Sequence, residues 1–268
     1  MTTAISASLV KELRDQTGAP IMDAKRALQD TNGDLEVAKR LLRERGMASA
    51  AKRAGRQTTE GVVLLKKGDG RGSLVAIGCE TEPVSKNDEF RAFAERVLEA
   101  AYSTYLAEKV DELEQERNEL IAKIGENITI AGTVTFEAVD GALIEGYVHP
   151  PANKLGVLVQ IRGGSSPDFA RKVAMHIAAS SPQWIGRDDV PEDTVATERE
   201  IFTNSDEVQS KPEQAREKIV EGMLNKRFFA DRVLTEQQWI HDAGKTVGQV
   251  LDEEGAEVLE FERFALVG

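Results

Sequence analysis

The residues of this chain whose types and spacing could do chemistry are few, and the most suggestive group is the end of a phosphate-binding loop. Gly244, Lys245 and Thr246 form the Gly-Lys-Thr end of such a loop, in which backbone N–H groups, a lysine and a hydroxyl hold phosphates and Mg²⁺. The full pattern requires glycine at the position of Trp239, and no predicted strand runs directly into the loop. A glycine cluster at 68–72 precedes a predicted strand, whereas a dinucleotide-binding fingerprint follows one. Neither segment predicts nucleotide binding.

The three histidines and the single cysteine do not form a recognisable metal or catalytic motif. His149, His176 and His241 are widely separated, and zinc-protease, nucleophile-elbow and calcium-loop patterns do not occur. His176 lies among apolar residues of a predicted helix, as a core histidine does, whereas His149 before two prolines is equally suited to a surface contact or to capping. Cys79 excludes an intrachain disulfide and a multi-cysteine zinc site, and its apolar setting favours a buried core residue. We expect no cofactor and no metal.

The most informative stretch is the polar loop within residues 75–90. An apolar, strand-like run ends in this loop, and a helical pattern begins at Phe90. Between the strand and the helix, Glu82, Pro83 and Val84 predict an exposed and rigid tip. Such a tip carries no nucleophile and no phosphate cradle, but it has a suitable shape for insertion into a protein partner.

Composition and charge restrict the class of partner. The chain has 268 residues, enough for two or three modules with a sizeable core. Its formal net charge of −12 argues against direct binding of nucleic acid and disfavours anionic membrane surfaces. No apolar run approaches the roughly 18 residues of a membrane-spanning helix, and residues 1–10 lack the layout of a signal peptide. The sequence predicts a cytoplasmic protein with a protein partner.

Residues 1–52 predict a compact bundle of three short helices. Three groups of apolar residues recur at helical spacing: Leu9, Val10 and Leu13; Ile21, Ala24, Ala27 and Leu28; Leu35, Ala38, Leu41 and Leu42. Gly18 and Pro20 separate the first two helices, and we expect Gly46 to end the third. A basic, polar linker is predicted at 53–59.

The rest of the chain runs twice through a similar pattern of two strands, a helix and a later strand. The predicted subdomains span 60–140 and, in two pieces, 141–187 and 239–268. The helix of the first pass is predicted at Asp88–Tyr105, and the last strand of the second pass at Glu257–Val267. We expect an α+β fold with two similar α+β subdomains, each built on an antiparallel sheet.

Residues 188–238 interrupt the second pass and predict an inserted helical hairpin. Its helices are expected at Val195–Phe202 and Glu213–Phe229, much like a short antiparallel coiled coil. Either this hairpin or the core offers a surface through which the protein would form a homodimer.

Motifs in order across nearly the whole chain resemble the elongation factor Ts family. The longest runs from Val10 to Leu28; the others are Lys123–Ile128, Gly156–Val159, Ala174–Ala179, Asp188–Pro191, Lys211–Gln214, Ile219–Gly222, Lys245–Val247 and Arg263–Phe264. The resemblance implies that the N-terminal bundle is a ubiquitin-associated-like module. It also implies a non-enzymatic guanine-nucleotide exchange factor, which binds the GTPase elongation factor Tu and promotes release of GDP.

The resemblance further implies which residues contact the GTPase away from the tip. Met22 and Lys25 hold the positions through which the N-terminal module touches the GTPase domain. A histidine corresponding to His149 faces the third domain of the partner. Some members continue into an additional C-terminal contact segment, which we expect to be absent here.

At the tip, the chain departs from the family pattern. The family carries Thr-Asp-Phe-Val, whose phenylalanine wedges between partner helices and disturbs the Mg²⁺ and phosphate site. Here Glu82 and Pro83 replace the aspartate and the phenylalanine, followed by Val84. A second loop with the sequence Ile-Gly-Glu, residues 124–126 here, supports that contact in the family. The resemblance therefore assigns partner-binding roles to these tip residues and to Ile124, Gly125 and Glu126.

Two other interpretations stay open at this point. The chain could be a non-catalytic adaptor, in which the N-terminal bundle binds a ubiquitin-like or helical protein and the rest is scaffold. It could also be a small enzyme whose site has no recognised motif, which a deep pocket with convergent titratable groups would support. A pulldown that returns a ubiquitin-like protein rather than a GTPase would favour the adaptor.

Overall fold

The computed structural model describes residues 5–68, 70–103, 106–164 and 166–266. The fold is α+β, and its first three elements are the helices α1 (Ala7–Thr17), α2 (Ile21–Asp30) and α3 (Leu35–Arg53). These helices enclose a small core of the predicted apolar residues, including Leu13, Leu28 and Ala38. Ser6 and Asp34 cap α1 and α3, because their side chains accept hydrogen bonds from the first-turn amides of those helices.

Helix α3 does not end at Gly46 as predicted, but continues to Arg53. Gly46 is buried, and a Cβ atom at this position would lie 3.2 Å from Cβ of Ala122. The glycine therefore allows a close contact between two helices and does not stop one. Ala50, one turn later, already belongs to the core of the next subdomain. A continuous helix thus joins the bundle to the rest of the protein, and irregular structure is confined to residues 54–59.

The first α+β subdomain contains three strands and three helices. In chain order, they are β1 (Glu60–Gly68), β2 (Arg71–Cys79), α4 (Glu82–Ser85), α5 (Asp88–Tyr102), α6 (Leu106–Ile124) and β3 (Ile128–Glu137). The strands form an antiparallel sheet in the order β1-β2-β3. Tyr105, the predicted end of the helix after the tip, lies outside the described residues.

The second subdomain repeats this plan. Its elements are β4 (Ala142–Val148), β5 (Leu155–Gly163), α7 (Pro167–Ser180), α12 (Val247–Glu254) and β6 (Ala256–Ala265), with the sheet order β4-β5-β6, again antiparallel. Both sheets shift register on the middle strand, between Ala76 and Ile77 and between Gln160 and Ile161. The predicted pairing of two similar antiparallel units is confirmed, although Val267 lies outside the described residues.

The two sheets pack against each other, and helices cover their outer faces. Along β2 the side chains alternate, so that Leu74 and Ala76 face the other sheet while Val75 and Ile77 face the helices. Glycines on the inner faces allow close approach: a Cβ atom on Gly156 would lie 2.5 Å from Cγ1 of Val63. Ion pairs between the subdomains, such as Lys154–Glu60, supplement this apolar contact.

The insertion is helical, as predicted, but it contains more than a two-helix hairpin. It comprises α8 (Glu192–Thr203), α9 (Asp206–Gln209), α10 (Glu213–Met223), a π-helical turn (Leu224–Phe229) and α11 (Ala230–Arg232). It has its own core, formed by Val190, Val208, Val220, Met223, Leu224, Phe228 and Val233. An ion pair between Arg199 and Glu221 joins α8 to α10. Within the described part of the chain, no helix is long and apolar enough to cross a membrane.

Candidate functional site

The predicted tip is a single helical turn held at the end of a buried strand. Strand β2 ends at Cys79, and Thr81 is the N-cap residue of α4. The carbonyl oxygen of Thr81 accepts the amide N–H of Ser85 at 3.2 Å. The Ser85 hydroxyl donates back to the carbonyl of Glu82 at 2.7 Å. Pro83 fits this first turn because its missing N–H would have no helical partner there. Glu82 and Pro83 are exposed, so the tip presents one carboxylate and one rigid apolar ring.

Val84 differs from the expectation of an exposed tip. Its side chain is partly buried and packs against the apolar core of the first subdomain. Val84 therefore anchors the turn from beneath, while Glu82 and Pro83 project from it. A direct contact of Val84 with a partner stays a prediction.

The charge at the tip is balanced within the turn itself. Nζ of Lys86 donates to Oε1 of Glu82 at 2.7 Å, one helical turn away. This hydrogen bond and the lysine's positive charge lower the pKa of the Glu82 carboxyl below its ordinary value. Glu82 is consequently ionised at neutral pH. A partner can displace this ion pair at little cost, because both side chains are exposed to water.

The second predicted loop lies directly beside the tip. Helix α6 ends at Ile124, which packs partly buried against the core of the first subdomain. Gly125 adopts a left-handed conformation with φ of 87°, which turns the chain sharply after the helix. Both carboxylate oxygens of Glu126 then accept hydrogen bonds from Thr81, one from its amide at 3.0 Å and one from its hydroxyl at 2.6 Å. The structure thus brings the two loops together, as the resemblance implied.

Sequence reasoning missed a second link between the same loops. Oε1 of Glu80 accepts the backbone N–H of Asn127 at 2.6 Å. The side-chain amide of the buried Asn127 donates to the carbonyl oxygen of Arg56 at 2.8 Å. No periodicity reveals this contact, because it joins residues far apart in the chain. The only available signal is that Glu80 and Asn127 flank the two segments already singled out.

Cys79 lies under the tip as a buried residue, which confirms the prediction. Its Sγ donates to the carbonyl oxygen of Thr81 at 3.3 Å. Burial, with a smaller contribution from the negative charge of Glu126, raises the pKa of the thiol to about 12. The cysteine is therefore a neutral packing residue at neutral pH and not a nucleophile.

The predicted contact residues of the N-terminal bundle form an exposed apolar and basic surface on α2. Met22 is 55% exposed, and Lys25, one turn further along the helix, is also exposed. Ile21, which the apolar pattern placed in the bundle core, is instead 56% exposed and adjoins Met22. Ile21 is the first residue of α2, so its side chain has no preceding helical turn to pack over. It enlarges the surface that Met22 and Lys25 present.

His149 is exposed at the end of β4, with its ring oriented by a neighbour. Nδ1 of His149 lies 2.7 Å from the hydroxyl of Tyr147, and the guanidinium of Arg171 lies 5.6 Å from the centre of the tyrosine ring. The turn that follows contacts the other subdomain, because the carbonyl of Asn153 accepts the amide N–H of Val63 at 2.6 Å. This places His149 on a turn anchored to β1. Tyr147 and Arg171 were not predicted as part of this surface.

His176 is a fully buried core histidine, as predicted. Its Nε2 lies 2.9 Å from Oε1 of Gln237, and its Nδ1 accepts the amide N–H of Ile240 at 3.3 Å. These partners define a neutral ring protonated at Nε2, stacked on Trp239 at 5.3 Å between ring centres. Burial lowers the pKa of His176 below its ordinary value of 6.5, and the nearby His241 adds to this effect.

This histidine makes stability depend on pH. The unfolded chain binds a proton at His176 near pH 6.5, whereas the folded chain binds it only at a lower pH. The contribution of His176 to the free energy of unfolding therefore has its full value above that pH. It decreases as the pH is lowered further, by at most about 1.4 kcal/mol per pH unit. Urea unfolding between about pH 5 and about pH 8 measures this slope. His176→Gln should flatten it and His149→Gln should not; an unchanged slope in His176→Gln would contradict the assignment.

Neither a metal centre nor an enclosed catalytic pocket emerges at these loops. Among the described residues, no group of three or more His, Cys, Asp or Glu side chains is arranged to hold a metal ion. A cleft of about 970 Å³ lies between the N-terminal bundle and α6. Charged residues of both signs line it, such as Arg26, Arg40, Asp23 and Glu119. The predicted site residues lie instead on exposed surfaces and on the two joined loops.

The chain is similar to known proteins over most of its length. The family model described as elongation factor TS matches residues 80–268. Proteins named elongation factor Ts from Idiomarina loihiensis and Shewanella amazonensis are 41% and 42% identical, each over 97% of this chain and 90% of the relative. A third, from Vibrio cholerae, is 41% identical over 97% of this chain and 91% of its own length. The chain therefore belongs to the elongation factor Ts family of translation elongation factors.

Proposed function

We propose that this protein binds elongation factor Tu carrying GDP in the cytoplasm, and that it promotes GDP release by distorting the Mg²⁺ and phosphate site of that GTPase. GTP then reloads the emptied partner. Family membership supports the choice of partner and the absence of any chemical step. The observation that carries the mechanism is the exposed Glu82–Pro83 turn, which is held at its base by the hydrogen bonds that Thr81 donates to Glu126.

The mechanism requires only a difference in affinity between two states of the partner. A GTPase holds its nucleotide through backbone groups on the phosphates and through a Mg²⁺ ion that bridges them. An exchange factor that binds best when this site is distorted lowers the affinity of the GTPase for nucleotide. By linkage, nucleotide lowers the affinity of the GTPase for the exchange factor to the same extent. No side chain of the exchange factor has to react. A rigid tip that fits only the distorted state is sufficient.

We assign binding of the partner and distortion of its magnesium site to different surfaces of the protein. Met22, Lys25 and His149 lie on exposed surfaces outside the tip, and we assign to them contacts that both states of the partner share. Glu82 and Pro83 project furthest at the tip, and we assign to them the insertion next to the magnesium site. Ile124, Gly125 and Glu126 form the second loop, which supports the tip from one side.

The direct test is release of a fluorescent GDP from purified elongation factor Tu in the presence of excess unlabelled GDP. We expect this protein to accelerate release at substoichiometric amounts, because it is regenerated in each cycle. Elongation factor Tu alone gives the spontaneous rate, and an equal amount of an unrelated acidic protein controls for charge. Complex formation without faster GDP release would contradict the exchange role but would support elongation factor Tu as the partner. Absence of any complex would contradict the choice of partner.

A further inference from the structure

The tip and the second loop are joined by hydrogen bonds in which a glutamate of each loop accepts a backbone N–H of the other. Glu80, next to the tip, accepts the backbone N–H of Asn127 in the second loop at 2.6 Å. Glu126, in the second loop, accepts the backbone N–H and the hydroxyl of Thr81 at the base of the tip, at 3.0 and 2.6 Å. Each loop therefore supplies one negative charge to an amide of the other. We call these four residues (Glu80, Thr81, Glu126 and Asn127) the two-carboxylate clamp.

A third segment of the chain meets the clamp. The side-chain amide of Asn127 donates to the carbonyl of Arg56 at 2.8 Å, and Nη1 of Arg56 lies 3.3 Å from Oε1 of Glu80. Arg56 comes three residues after the end of α3 at Arg53. Asn127 is only 2% exposed, so its hydrogen bonds are shielded from competing water. The helix leading from the N-terminal bundle is thus connected to both loops at one point.

We propose that Glu80 and Asn127, together with Glu126, are positioning residues that hold the tip in the orientation in which it enters the partner. This inference rests on the proposed exchange function and extends it to residues behind the contact surface. Hydrogen bonds from backbone amides to carboxylates are among the stronger ones in proteins. The two links fix the relative orientation of the loops only together, so loss of either one leaves the loops free to pivot about the other.

The clamp should affect the rate of nucleotide release and not the first encounter with the GDP-bound partner. A tip fixed before binding loses little conformational freedom when it enters the distorted site, whereas a loose tip must be ordered at that moment. The contacts shared by both states of the partner do not depend on the tip. Linkage then requires that the affinity for the nucleotide-free partner and the extent to which this protein weakens GDP binding fall by the same factor. We expect the maximal release rate to fall in parallel.

The test compares Glu80→Ala, Glu126→Ala and the double variant in the GDP-release assay, across a range of factor concentrations. We expect each single variant to lower the maximal rate about tenfold and to leave the half-saturating concentration with the GDP-bound partner within about twofold. Affinity for nucleotide-free partner should weaken by the same tenfold. The double variant should be little worse than either single one, because both break one device. Glu80→Gln retains an oxygen acceptor for the Asn127 amide and should recover most of the rate.

Glu99→Ala is the matched control, since it removes an exposed ion pair with Lys66 at the far end of α5. Hydrogen exchange over residues 79–90 should rise in Glu80→Ala and stay unchanged in Glu99→Ala, with circular dichroism confirming that both variants are folded. Unchanged maximal rates, independent multiplying effects, or a change confined to the half-saturating concentration would each overturn the clamp. Failure of the unaltered protein to release GDP would instead overturn the proposed function, and hydrogen exchange would then show whether Glu80 fixes the tip at all.

Discussion

Replacing Glu82 and Pro83 together by glycine is expected to lower the maximal rate of GDP release sharply. It should also weaken the nucleotide-free complex about 5- to 150-fold, the usual range of coupling between two binding sites. The change removes the projecting carboxylate and the rigid ring, while Val84 keeps its packing against the core. The half-saturating concentration should change little, because the surfaces around Met22 and His149 are intact. Stopped-flow release of fluorescent GDP at saturating factor measures the effect.

The chain offers a closely matched control for this double variant. Pro191 and Glu192 are also an exposed proline and glutamate at a helix start, but they lie on the insertion, at the beginning of α8. Replacing both by glycine should leave the maximal release rate unchanged. If the tip variant released GDP as fast as the unaltered protein, the assignment of Glu82 and Pro83 as the inserting residues would be wrong.

The largest expected effect on stability comes from the contact between the two sheets. Gly156→Ala would place a Cβ atom 2.5 Å from Cγ1 of Val63 and 3.0 Å from Cδ1 of Leu74, both inside a packed core. Overpacking of this kind costs about 1–3 kcal/mol, because the opposing sheet has to move. We expect the free energy of unfolding, measured in urea, to fall by that amount.

Gly222→Ala is the control for this substitution. Gly222 lies in α10, and nothing approaches within 4 Å of the position its Cβ atom would occupy. Alanine should therefore raise the stability of this helix by about 0.5–1 kcal/mol, because it reduces the conformational freedom of the unfolded chain. If Gly156→Ala left the free energy of unfolding unchanged or raised it, the close approach of the sheets at Gly156 would be contradicted.

The strands and most helices could be predicted from the sequence because their apolar residues follow the periods of two and 3.6. Leu74 to Ile77 alternate between the two faces of the sheet, and the similar patterns of the two passes predicted two similar subdomains with antiparallel sheets. The fold class and the internal repeat are confirmed. The domain boundaries at 52, 140, 187 and 238 stay a prediction.

What the sequence did not reveal depends on tertiary contacts. Glycine has a low helix propensity and often ends a helix, but Gly46 lies inside α3, where the absence of a side chain allows α3 to pack closely on α6. Ile21 fits the apolar stripe but is exposed, since the helix begins there. The link from Glu80 to Asn127 joins two positions 47 residues apart, which no local pattern encodes. The site residues themselves were located through the resemblance, and the structure adds what holds them.

Helix α3 determines how freely the N-terminal bundle could be exchanged between relatives. Its 19 residues pass from the bundle core into the first subdomain without a break. Inserting one residue into such a helix turns everything before it by about 100° and shifts it by about 1.5 Å. A graft of the bundle would therefore have to preserve the helical register through Gly46, or Met22 and the tip would face different directions. The bundle forms a separate segment of the sequence, but the continuous helix α3 fixes its orientation relative to the first subdomain.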